Sequence, residues 1–145
     1  MQRLLADGRL RRQRPGRAEI HRLFQVAERD LNDACIEGLS ADRRFAIAYN
    51  AALQLATVVL RSEGYRTAGA GHHATVIASL WEIVGPEAQG TADYLDACRS
   101  KRNTVDYDGV DVATESDVAE LVVEARALQA MVRGWLREHH PQLAE

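Results

Sequence analysis

Residues 41–63 read ADRRFAIAYNAALQLATVVLRSE. Phe45, Tyr49, Ala52, Ala56 and Val59 recur at steps of three and four, which is the spacing of one helical face, and Ala48, Leu53, Leu55 and Leu60 lie beside them. The alanines allow neighbouring helices to approach closely. Ser40 stands where an N-cap belongs, and Gly64 is a natural C-terminal stop. The longest apolar stretch, Ala46 to Leu60, is interrupted by Tyr49, Asn50, Gln54 and Thr57. It falls short of the roughly 20 apolar residues that span a bilayer, so a place inside a helical core is expected.

The same period continues on both sides. Ile20, Leu23, Phe24, Ala27, Leu31, Ala34 and Cys35 predict a helix from Ala18 that Gly38 ends. Beyond a loop with Gly69 and Gly71, Val76, Ile77, Leu80, Trp81 and Val84 predict a helix over His72 to Val84, closed by Gly85-Pro86. Pro86 can open the next helix, which runs to about Tyr107 with the stripe Thr91, Tyr94, Leu95, Cys98, Arg102 and Val105. The last helix starts near Thr114, with Asp117 three residues on in a weak capping box, and buries Val118, Leu121, Val122, Ala125, Leu128, Val132, Trp135 and Leu136. Pro141 marks the tail. No strand-like alternation, internal repeat or Gly-rich phosphate loop stands out. The expectation is therefore an all-α fold, an antiparallel up-and-down bundle of about five helices over residues 18–140, with essentially no sheet.

The chain has 145 residues, 46% hydrophobic and 27% charged, which suits one domain with one core. Its net charge is −3, but residues 1–17 hold six arginines against Asp7, a local +5 that leaves −8 for the rest. That opening stretch is read as a basic arm or short helix, broken at Pro15-Gly16. It lacks the apolar core of a secretory signal, so a cytoplasmic location and no membrane are expected. Cys35 and Cys98 stand far apart, both on apolar stripes, and are expected to be buried thiols rather than a disulfide or zinc ligands. No metal and no cofactor is expected.

Arg102 is the most informative position. It sits on the apolar stripe four residues after Cys98 and three before Val105. A guanidinium there needs a partner, a way out of the bundle, or a wet cleft, because burying it unpaired costs several kcal/mol. The plain reading is an ion pair to another helix; the functional one is a phosphate ligand, for which the planar fork of arginine is suited. Arg99, Lys101, Asn103, Asp106 and Tyr107 stand around it, with Arg102 and Asp106 on one face and Asn103 and Tyr107 on another. His72 and His73 open a helix, where adjacent side chains diverge by about 100° and do not chelate one metal. One packed and one exposed imidazole is the ordinary reading, with His73 on the apolar side and a candidate general acid or base.

With these residues in view, Ala18 to Leu136 resembles a HEPN domain (the higher eukaryotes and prokaryotes nucleotide-binding superfamily). The segments that carry the resemblance are AYNAALQLATVVLRSEGYRTAG from Ala48, GHHATVIASL from Gly71 and, most specifically, CRSKRNTVDYD from Cys98. Ribonuclease branches of that superfamily carry an Arg, often followed by Asn, and then a His after four to six intervening residues. Arg102-Asn103 matches the first half, and Tyr107 stands where the His would be, as in Arg…Asp-Tyr branches. The resemblance implies that Arg102 holds a phosphate, with Arg99 and Lys101 as further binding residues. It names Arg102, Asn103 and Tyr107 as candidate catalytic residues, with His73 a weaker candidate for the missing imidazole. Tyrosine, with a pKa of about 10, is a poor base at neutral pH. The resemblance also implies a homodimer, an RNA or nucleotide ligand, and a toxin–antitoxin pairing with a separate nucleotidyltransferase. In some members of such modules a tyrosine near the motif receives a nucleotide, and Tyr107 is the matching residue. A non-catalytic helical module that binds a nucleotide or protein in the same cleft is the alternative.

Overall fold

Helix α3, Ala41–Ser62, is the axle of the structure. In the computed structural model, which describes residues 1–108 and 111–144 and the backbone alone in 105–108, it packs against helices on every side. These are α2 (Arg17–Asp33), α4 (His72–Val84), α5 (Gln89–Asp108) and α6 (Glu115–His139). Its apolar composition and length would fit a membrane span, but 72% of that stretch is buried inside the fold, as a core helix requires. Ser40 Oγ accepts from the Arg43 N–H at 3.1 Å, the cap expected there. The capping box at the start of α6 is present as well: Thr114 Oγ1 accepts from the Asp117 N–H at 3.0 Å, and Asp117 Oδ2 accepts from the Thr114 N–H at 2.9 Å.

Paired residues give the helix directions. Glu19 at the start of α2 meets Arg61 at the end of α3, and Asp30 at the end of α2 meets Asn50 early in α3, so these neighbours are antiparallel. Arg44 pairs with Glu115 at one end of α3 and α6, and Glu63 with His140 at the other, so that non-consecutive pair runs in the same direction. Ile20, Leu31, Leu55, Leu60, Leu80, Leu95, Leu121 and Leu136 are essentially fully buried between them. The five long helices read from periodicity are α2 to α6, with a 3-10 turn at Pro86–Ala88 leading into α5. Short helices α1 (Gln2–Ala6) and α7 (Pro141–Ala144) frame them.

Two expectations need correction. The first concerns the sheet. Leu10–Arg12 (β1) pairs antiparallel with Tyr65–Thr67 (β2), with Leu10 opposite Thr67. Strands of three residues are too short to show alternation, so the sequence carries no sign of them. They form because Arg61, buried to 2% exposure at the end of α3, gathers the chain around itself. It donates to both Glu19 carboxylate oxygens at 2.9 Å, to the Gln13 and Tyr65 carbonyls at 3.0 and 2.9 Å, and to the Arg14 carbonyl at 3.2 Å. All five guanidinium donors are used, and the opening stretch is tied down with Leu4 and Leu10 in the core. The second correction concerns Cys35. Helix α2 ends at Asp33, so Cys35 lies beyond the periodic face and is exposed, while Cys98 is buried.

Candidate functional site

Three helices converge where the apolar stripe of α5 carries its arginine. The fourth turn of α5 from its start brings Arg102 inward, half-buried, with its guanidinium carbon 5.7 Å from the centre of the Tyr49 ring. Tyr49 faces it from α3 and is 1% exposed. A buried phenol needs a partner for its hydroxyl, and here that partner is His73 Nδ1 at 3.3 Å, the two rings standing 5.7 Å apart at 40°. Gly71 allows this placement. It caps α4 in the left-handed region, φ 73°, so the chain turns from β2 into a helix whose second residue reaches Tyr49.

The electrostatics follow from burial and from two guanidinium groups. Burial pushes the Tyr49 hydroxyl up to about 12, against the opposing pull of Arg102 and Arg99, so it remains protonated at neutral pH. Burial also holds the His73 imidazole below its ordinary 6.5, and the positive charges of Arg102, Arg99 and His72 push the same way. His73 is therefore neutral near pH 7, with Nδ1 facing a phenol and Nε2 as its second ring nitrogen. A neutral imidazole fixed through one nitrogen and bordered by guanidinium groups can take up a proton next to a bound anion.

The other sequence-predicted residues fall around this centre. Asn103, next to Arg102 along the helix, is exposed and does not join the Tyr49–His73 cluster. Arg99 is half-buried and pairs with Asp96 at 3.0 Å on its own helix. Lys101 donates to Asp117 Oδ2 at 2.9 Å, which ties the end of α5 to the start of α6. The side chain of Tyr107 lies outside the described residues. His72 is exposed and His73 half-buried. Among the described residues, no three His, Cys, Asp or Glu side chains are placed to hold a metal ion. Cys98 is an apolar neighbour whose thiol burial pushes up to about 11, leaving it protonated.

Sequence reasoning missed Tyr49 and Arg61. Tyr49 reads as one more member of an apolar face, and its only signal is that a hydroxyl in the middle of a core helix has to be satisfied. Arg61 carries the signal that singled out Arg102, a cation after the apolar run Val58-Val59-Leu60. Comparison of the chain with protein-family models, curated proteins and solved structures finds no match.

Proposed function

We propose that this chain is a HEPN-type helical domain that acts on or with RNA or nucleotides, in a toxin–antitoxin pairing with a separate nucleotidyltransferase. The observation that carries the reading is the Arg102–Tyr49–His73 cluster: a half-buried guanidinium over an aromatic ring whose hydroxyl fixes a neutral imidazole. It compensates in space for the departure at Tyr107 in the sequence. The planar fork of a guanidinium such as that of Arg102 matches a phosphate, and charge-assisted bonds of that kind contribute about 1.5–3 kcal/mol each. His73 is the acid–base group. In cleavage of RNA it accepts the proton as the 2′-hydroxyl attacks phosphorus; the bond to the 5′-oxygen breaks to leave a 2′,3′-cyclic phosphate, the departing 5′-oxygen takes its proton from water, and Arg102 balances the charge on the phosphoryl oxygens. Tyr49 is a positioning residue: in this role its hydroxyl oxygen accepts from His73 Nδ1–H, which leaves the Nε2 lone pair to take the proton.

A second reading, a non-catalytic nucleotide-binding module, is favoured by the tyrosine at position 107. Single-stranded RNA incubated with the purified protein separates the two. The catalytic reading expects binding that weakens with salt, together with cleavage that His73→Gln abolishes while binding persists. Binding without cleavage in the unaltered protein selects the module, and absence of binding rejects both.

A further inference from the structure

His73 has a second neighbourhood. Away from Tyr49 it lines a small pocket, about 210 Å³, between the C-terminal half of α3, β2 and the start of α4, shared with Thr57, Arg61, Arg66, Thr67 and His72. The two arginines differ. Arg61 is almost wholly buried and has every donor engaged by Glu19 and three carbonyls. Arg66 has 35% of its side chain exposed. Its Nε donates to Gln13 Oε1 and its Nη2 to Glu19 Oε2, leaving Nη1 without a partner among the described residues. Two guanidinium groups share the single carboxylate of Glu19, so the wall keeps one net positive charge. The volume is below the roughly 300 Å³ at which pockets begin to enclose a whole small ligand, so the space suits one chemical group. Positive charge, a guanidinium edge, the Thr67 hydroxyl and two imidazoles select an anion with several acceptor oxygens.

We propose that this pocket binds a phosphoryl group, held by Arg66 Nη1, Thr67 and the imidazole of His72, with His73 at its edge. A nucleotide chain then passes His73 with one phosphate on Arg66 and the next at Arg102. The phosphoryl subsite stands on the geometry of the pocket; its use by a nucleotide chain rests on the function proposed for Arg102.

The test is titration of inorganic phosphate at constant ionic strength, read by NMR at the His72 and His73 imidazoles and the Arg66 guanidinium. Saturable shifts at all three are expected. Arg66→Met should weaken binding by about tenfold or more, the loss of a charge-assisted contact, and Arg66→Lys should restore most of it because ammonium also binds phosphate. Glu19 keeps its pair with Arg61 in both variants, and circular dichroism checks the fold. His72→Ala, at an exposed position, gives an independent loss if Arg66→Met unfolds. No saturable shift in the unaltered protein overturns the proposal, as does a folded Arg66→Met protein that binds phosphate undiminished. The two ideas fail separately. RNA binding that depends on Arg102, with no phosphate response, removes the pocket alone. A phosphate response that depends on Arg66, without Arg102-dependent RNA binding, keeps the subsite and removes the function proposed for Arg102.

Discussion

Arg61 and Arg102 both project from apolar helix faces, the first almost wholly buried and the second half-buried beside the Tyr49 ring. Arg61 spends its whole guanidinium on Glu19 and backbone carbonyls. Replacing it by methionine strands those acceptors, so Arg61→Met should destabilise the fold by about 3–5 kcal/mol in urea unfolding. Its carboxylate partner gives a pH signature. The hydrogen bond from Arg61, reinforced by the charges of Arg61 and Arg66, outweighs burial and holds the Glu19 carboxyl below its ordinary 4.5. The folded state thus releases that proton more readily than the unfolded chain. The stability this contributes is complete above about pH 4.5 and is lost as pH falls below it through the folded value. Unfolding curves between about pH 6 and pH 3 should show an acid loss that Glu19→Gln flattens. At the candidate site, His73 should titrate below 6.5 by NMR, and Arg102→Ala should raise that value without restoring it, because burial is the larger cause. An unmoved His73 in that variant would separate Arg102 from the imidazole.

Among the elements, the long helices were legible and the arm was not. Periods of three and four, Ser40, the Thr114–Asp117 box and the Gly-Pro stop at Gly85 are local signals, and each is where the sequence puts it. The opening stretch had no local signal. Its basic composition suggests an arm, yet its structure comes from long-range partners: Arg61, the Tyr65–Thr67 edge, and Thr75 on α4, whose Oγ1 accepts from Arg9 Nε at 2.9 Å. Cys35 failed for the opposite reason, since the apolar period was extended past the point where α2 stops at Asp33. If the arm belongs to the core, Leu10→Ala should cost about 2–3 kcal/mol in denaturant unfolding. A loss under about 0.5 kcal/mol, the range of an ordinary surface change, would show that the arm merely rests on the surface.

For the whole molecule, only part of the candidate cluster was legible. Arg102 declared itself by standing on an apolar stripe. Its companions in space, Tyr49 and His73, come from helices that periodicity could place but not orient, so their meeting was beyond sequence reasoning. The HEPN resemblance further implies that two copies bring their α5 ends together. Light scattering at high micromolar concentration should then give a mass near twice 16.1 kDa, and a monomer would remove that part of the proposal. The central claim is that Arg102 serves a ligand rather than the fold. Its most direct test is single-stranded RNA binding by Arg102→Ala, normalised to folded protein by thermal melting of the same sample. The account predicts a melting midpoint within about 3 °C of the unaltered protein, a stability change under about 1 kcal/mol. It predicts affinity lower by about tenfold or more. A midpoint that drops far while binding per folded molecule stays intact would contradict it and make Arg102 a structural residue like Arg61.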